Sequence, residues 1–240
     1  LNTILQTLQT WLPIEEWNQC GQEIDWIAYE GRECYMGLDL STTTDLTAAA
    51  IVFPPRTPDE SYSGFVHYWV PGDNVLKRVR NDRVPYDVWI KDGWITPTGE
   101  NSVDYDVIIN WIKEQSKRFK IRDIAFDPWN ATATSNQLQT LGFKMVEFRQ
   151  GTKTYNEPMR ACERIVMTCN FRHDNNPVLR WNVSNVTIKE DSGGCIKPRK
   201  DSQKLRVDGI CALIMALGRC IVSSGPVKSC YEERGIRMFT

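Results

Sequence analysis

Three apolar runs, residues 34–41, 46–54 and 62–70, follow one another with short polar links, and no other feature constrains the fold as strongly. The first link is Ser41-Thr-Thr-Thr-Asp45 and the second is a Pro-rich turn from Pro54 to Pro58. Strands joined so closely are expected to pair as an antiparallel meander, because parallel pairing needs a long crossover. After residue 104 the period lengthens. Residues 105–117 read as a helix, 121–126 as a strand, 131–141 as a helix stopped by Gly142, 144–148 as a strand and 159–170 as a helix. A meander followed by this alternation predicts a mixed α/β central sheet, three antiparallel strands plus parallel ones, flanked by helices. Residues 186–189 and 195–197 are spaced for a hairpin across Asp191-Ser-Gly-Gly194. Residues 208–222 close the fold as an apolar helix, with Ile210, Leu213, Ile214, Leu217 and Ile221 facing inward. Between meander and alternation, residues 72–100 form a mixed, charged region that holds Lys77, Arg78, Arg80 and Arg83 among Trp89 and Trp94.

The chain of 240 residues is long enough for one full core with an appendage. Leu1, Ile4, Leu5, Leu8, Trp11 and Leu12 recur at helical spacing without a cap, and Pro13 ends the run. Residues 1–30 are therefore expected to be a connector helix and a polar linker carrying Trp17, Cys20 and Trp26. Residues 31–225 are expected to form the main domain and 226–240 a loose tail. The eight cysteines show no paired close spacing, which favours free thiols in a reducing compartment. No signal-peptide pattern and no membrane-length apolar stretch occurs, so the sequons at Asn130, Asn182 and Asn185 read as chance matches. With only His67 and His173 available, histidine triads and multi-His zinc sites are poorly supplied. Carboxylates are left to carry acid–base or metal chemistry.

Three aspartates end apolar runs: Asp39 in Tyr35-Met-Gly-Leu-Asp-Leu-Ser41, Asp127 in Ile124-Ala-Phe-Asp-Pro128, and Asp208 in Val207-Asp-Gly-Ile210. Each has an ordinary explanation: Asp39 as a turn residue, Asp127 as the entry to a helix with proline at its first position, Asp208 at the positive end of a helix dipole. Their arrangement argues for more. Leu38-Asp-Leu40 puts Asp39 on the opposite face from its apolar neighbours. If strands 34–41 and 121–127 are neighbours, Asp39 and Asp127 meet at the sheet edge and Asp208 joins them from the flank. Three carboxylates share such a space only around cations, and oxygen ligands suit Mg2+ or Mn2+. Asp45 is a candidate fourth, weaker ligand.

The net charge of −1 gives no global attraction for nucleic acid, so any grip must be local. Lys197, Arg199, Lys200, Lys204 and Arg206 crowd the segment before Asp208, and Arg149 and Lys153 follow the strand at 144–148. As a solvated loop the run needs no function. As a backbone grip it would steer phosphates toward the carboxylates. The tryptophans, Trp129 and Trp181 among them, read as mainly structural, with base stacking by Trp89 or Trp94 as the exception to test.

Several strings resemble the C-terminal nuclease domain of the large terminase subunit of tailed bacteriophages, which has an RNase H-like fold. They are Gly37-Leu-Asp-Leu-Ser41 with Asp45-Leu-Thr-Ala48, Val84-Pro-Tyr86, Ala125-Phe-Asp-Pro-Trp-Asn130, Phe148-Arg-Gln-Gly151, Asn176-Pro-Val178 and Arg206-Val-Asp-Gly-Ile-Cys-Ala-Leu213. The resemblance runs from about residue 11 to about residue 222. It implies that Asp39, Asp127 and Asp208 hold two Mg2+ or Mn2+ ions, with Asp45 auxiliary. Other nucleases of this fold often carry Glu at the second position, where this chain has Asp127. The family cuts concatemeric double-stranded viral DNA during genome packaging in the host bacterial cytoplasm, alongside a small terminase subunit and a portal. Its motor is an N-terminal P-loop ATPase, and this chain contains no Gly-x-x-x-x-Gly-Lys-Ser/Thr loop. The run at 1–12 is then expected to be the end of a connector to that ATPase domain.

The sequence also admits other readings. Gly37-Leu-Asp-Leu-Ser-Thr-Thr resembles the phosphate hairpin of sugar kinases and chaperone-type ATPases, but Ser41 replaces the glycine there and no later Asp-Gly-Gly-x-x-Thr loop follows. A resolvase or transposase of the same fold differs only in substrate geometry. A non-enzymatic scaffold that binds a capsid or portal partner would gain nothing but stability from metal.

Overall fold

The computed structural model describes residues 10–41, 46–129, 131–202 and 204–224. β1 (Glu33–Asp39), β2 (Thr47–Phe53) and β3 (Tyr62–Pro71) form the expected antiparallel meander, with Gly37 opposite Ala50 and Ala48 opposite Tyr68. β5 (Lys120–Phe126) lies parallel to β1 on its free side, and β6 (Met145–Glu147) lies parallel to β5. β4 (Ile95–Thr98) and the two-residue β7 (Phe171–Arg172) both pair with β3, giving the order β4-β3-β2-β1-β5-β6. β2 is buried along its whole length because it is central and covered on both faces, which is why it reads as a continuous apolar run.

The two faces carry separate cores. Cys34, Met36 and Leu38 of β1 turn toward Ile108, Ile109 and Ile112 of α4 (Tyr105–Arg118). Tyr35 joins the opposite core, which contains α8 (Asp208–Ser224). α8 is buried on every side from Asp208 to Gly218, as a helix enclosed by sheet and helices must be. It packs on β1, β2, β3 and β5 and is covered by α6 (Thr152–Met167) and α7 (Pro177–Ser184). Gly37 permits this approach, since a Cβ there would overlap the Ala212 carbonyl of α8. α5 (Thr132–Thr140) sits between β5 and β6 in sequence.

Several expectations need correction. α6 starts at Thr152 rather than 159 and keeps Pro158 inside it. The proline ring rests against α8 at Gly218, and Tyr155 and Met159 fill the core, so packing outweighs the missing helical hydrogen bond. The region 72–100 holds α2 (Val75–Asp82), α3 (Tyr86–Lys91) and β4. Trp89 is buried beside Tyr86 and Trp181, at ring distances of 5.9 and 5.5 Å, which removes it from base stacking. Trp181 belongs to α7, a helix whose start is readable in the sequence: Asn176 caps the Val178 and Leu179 amides and Pro177 follows.

The polar linker is also more ordered than its sequence suggests. Trp17 of α1 (Ile14–Gln19) stacks on His173 at 4.3 Å, Cys20 is fully buried, and the Trp11 amide donates to the Val186 carbonyl at 3.0 Å. Residues 1–9 of the expected opening helix, and the expected tail at 226–240, lie outside the described residues. The seven described cysteines are free, and no described helix is long and apolar enough to cross a membrane. β8 (Thr187–Glu190) and β9 (Ile196–Arg199) form the expected hairpin as a separate two-stranded sheet. It is fastened to α6 by Thr152 Oγ1 donating to Asp191 at 2.7 Å and by Arg160 donating to the Gly194 carbonyl at 3.1 Å.

Candidate active site

In the parallel pair of β1 and β5, Leu38 stands opposite Phe126. Asp39 and Asp127 are the next residue on each chain, Asp39 ending β1 and Asp127 just beyond β5, and neighbouring strands run about 4.8 Å apart. Strand alternation then fixes the face. Leu38 and Phe126 enter the α4 core, so the residues that follow them turn toward α8. Asp208 is the first residue of α8 and approaches from that side.

Two buried groups feel the charge of the carboxylates. Tyr155 of α6 and Cys211, one turn into α8, pack against each other, and both are pushed well above their ordinary pKa. For Tyr155 the causes are burial, then Cys211 and the charges of Asp39 and Asp127. For Cys211 they are burial, then Asp39 and Asp208, opposed by the Tyr155 hydroxyl and the charge of Lys200. All three aspartates thus act electrostatically on one buried Tyr–Cys pair. The thiol stays protonated and packs as a small apolar group, so it offers no nucleophile.

Each carboxylate is held differently. Asp127, half-buried, accepts the amide N–H of Trp129 at 3.2 Å, which folds the Asp-Pro-Trp corner back on itself. Asp39 accepts from Gln150 Nε2 at 3.4 Å, and the Gln150 carbonyl in turn accepts from Lys197 Nζ at 3.2 Å. Asp208 is 7% exposed at the start of α8, and α7 anchors that start. Asn182 Oδ1 accepts from the Gly209 amide at 2.8 Å and from the Tyr68 hydroxyl at 3.3 Å. Glycine is required at 209 because a Cβ would overlap that hydroxyl. Asn185 Nδ2 donates to the Arg206 carbonyl at 2.9 Å, just upstream. Neither Asn182 nor Asn185 stands out in the sequence except as a sequon, yet both are buried and place Asp208.

The basic residues divide. Lys197, Arg199 and Lys200 lie on or just after β9, beside the 149–151 loop that Lys197 bonds. Arg149 and Lys153 are exposed on the same side of the hairpin, Arg149 near Glu147 at 3.6 Å. Arg199 pairs with Asp201 at 3.2 Å, and Lys204 is exposed. Arg206 is corrected: it is 6% exposed and pairs with Asp82 of α2 at 3.3 Å, so it serves the fold and not the surface. Trp129 is corrected in the other direction, being 86% exposed rather than packed.

The donor set is carboxylate oxygen throughout, which suits hard divalent cations. His67 and His173 stand elsewhere: His67 is bonded to Thr96 at 2.8 Å and stacked on Trp111, and His173 is packed on Trp17. Among the described residues no three acidic, histidine or cysteine side chains stand as a ready ligand set. Asp45 lies outside the described residues.

A mixed sheet with acids at the ends of two adjacent parallel strands and a third on the flanking helix is an RNase H-like nuclease fold. Comparison with known proteins gives the family. The model for the terminase large subunit endonuclease domain matches residues 1–224. The large terminase subunit of Enterobacteria phage HK97 is 30% identical over 220 residues, covering 91% of this chain and 43% of that protein. The crystal structure of the HK97 large terminase matches with a TM-score of 0.79 over 88% of this chain and 43% of that one, at 30% identity. The magnesium-bound large terminase nuclease of thermophilic phage G20c matches with a TM-score of 0.53 at 10% identity, covering 80% and 85% of the two chains. The chain belongs to the terminase large subunit endonuclease domain family. It spans less than half the length of the HK97 protein.

Proposed function

We propose that this chain is a metal-dependent endonuclease that cleaves concatemeric double-stranded viral DNA during genome packaging, by two-metal phosphodiester hydrolysis. The observation that supports the reading is the β1–β5 register, whose last pair, Leu38 opposite Phe126, lies one residue before Asp39 and Asp127, with Asp208 heading the helix packed on both strands. Asp39 is central and would contact both Mg2+ or Mn2+ ions, while Asp127 and Asp208 would each hold one, with Asp45 auxiliary. Bound ions supply Lewis-acid polarisation of the phosphate and an activated water. The carboxylates repel one another, so a cation is what closes them into a ligand set.

Gln150 donates a long hydrogen bond to Asp39, and α7 holds the start of the Asp208 helix. Lys197, Arg199, Lys200 and Lys204, with Arg149 and Lys153, would grip the DNA backbone without reading sequence. In a longer protein the partners would be an N-terminal ATPase domain, reached through residues 1–30, a small terminase subunit and a portal. The setting would be the host bacterial cytoplasm. The family match favours this reading over a resolvase, a kinase-type ATPase or a scaffold. The purified chain should nick and then linearise plasmid with Mn2+ or Mg2+ and be silent in EDTA. Equal cutting with and without chelator would overturn it.

A further inference from the structure

We propose that Trp129 is a substrate-gripping residue, its indole packing on the deoxyribose and base edge of duplex DNA next to the scissile phosphate. The inference rests on the nuclease reading of Asp39, Asp127 and Asp208 and adds an interaction that the carboxylates and cations do not make.

Trp129 is 86% exposed, more than Val222 at 72%, Ile27 at 69% or Leu76 at 65% among the described large apolar residues. An indole left in water forgoes a large apolar burial and keeps its ring face free for a partner. Its place is not arbitrary either. The Trp129 amide donates to the Asp127 carboxylate at 3.2 Å, so its backbone is tied to a proposed metal ligand. Two residues span at most about 7 Å. Any phosphate held near Asp127 therefore brings its flanking sugars within reach of the indole.

The surroundings favour nucleic acid over an apolar protein partner. The Phe148 amide donates to the Phe126 carbonyl at 2.8 Å, so the loop after β6 runs beside the loop that carries Trp129. That neighbouring loop presents the exposed guanidinium of Arg149. An exposed ring on one loop and an exposed cation on the neighbouring loop suit a sugar–phosphate backbone, the ring taking the sugar and base edge and the cation the phosphate. The indole is uncharged and releases no counterions, so its contribution is separable from that of the lysines and arginines.

The test uses the chain with Asp39→Asn, which should bind duplex DNA without cutting it. Binding of a labelled duplex is measured by anisotropy across a salt series for Trp129, Trp129→Phe and Trp129→Ala. Trp129→Ala should weaken binding about tenfold with an unchanged salt slope, and Trp129→Phe should retain most of the affinity. With Asp39 intact, Trp129→Ala should raise KM for duplex by a similar factor and lower kcat far less. A Trp129→Ala protein that binds and cuts within twofold of its parent overturns the proposal while the nuclease reading stands. A parent chain that is silent with Mn2+ overturns the nuclease reading, and the role of Trp129 with it.

Discussion

Asp123 and Asp127 lie four residues apart in or just beyond β5, turn to the same face, and meet opposite surroundings. Asp123 is 2% exposed and accepts from Nε and Nη2 of Arg219 from α8, at 3.1 and 2.8 Å, with Lys144 at 3.6 Å. Asp127, at the other end of the strand, is half-buried and accepts a single amide from its own loop. The same helix that neutralises Asp123 brings another carboxylate, Asp208, toward Asp127. One end of the sheet therefore compensates buried charge and is built for stability. The other brings Asp39, Asp127 and Asp208 to bear on one buried Tyr–Cys pair, with the charge of Lys200 also felt there. The difference shows that a buried aspartate is not by itself a site. What matters is how many other carboxylates the fold brings near it.

The sharpest way to break this comparison is to remove the charge at each end. Asp39→Asn, Asp127→Asn and Asp208→Asn should each lower cutting on the order of a thousandfold or more, because each removes a ligand from transition-state charge stabilisation. Their melting temperatures should stay near that of the parent. If Asp127→Asn still cuts well, the assignment of that end as the site is wrong.

Asp123→Asn should do the reverse. It leaves the half-buried Arg219 without its carboxylate and should cost about 3 kcal/mol, roughly 6–12 °C in melting temperature for a domain of this size. The fraction that remains folded should cut at the parental rate. Equal stability of Asp123→Asn and parent in a denaturant titration would remove the contrast.

Gln150→Ala tests whether the site needs its own support. The hydrogen bond to the Asp39 carboxylate is long, so removing it should slow cutting about tenfold and raise the metal concentration needed for half-maximal rate. A slower rate with no change in metal dependence would argue that Gln150 merely packs the 149–151 loop.

The smallest effect belongs to the basic surface. Replacing Lys197, Arg199, Lys200 and Lys204 with alanine should flatten the salt dependence of binding, alike for all sequences. The slope should change by up to about 0.9 for each phosphate that the variant no longer neutralises. Lys197 and Arg199 already bond Gln150 and Asp201, so the flattening should stay below the full value for four cations. An unchanged slope would return the run to an ordinary solvated loop. Arg206→Ala should instead lower stability, since its partner Asp82 is left buried.

Much of this molecule was determined by its sequence. The meander, the β5 and β6 strands, the hairpin and the central apolar helix follow from period and link length, which are local properties. The candidacy of Asp39, Asp127 and Asp208 follows too, because a charged residue ending an apolar run stands out in one dimension. Tertiary structure decided the rest. The helix expected from 159 begins at Thr152 and takes Pro158 inside it, because α8 packs against its ring. Arg206 and Trp129 trade the places their residue types suggest, one buried by Asp82 and the other left exposed beside Asp127. Asn182 and Asn185 read as chance sequons and are buried anchors of α8. These outcomes depend on partners far away in the chain, and neither period nor composition carries the identity of a partner until the sheet has brought it into place.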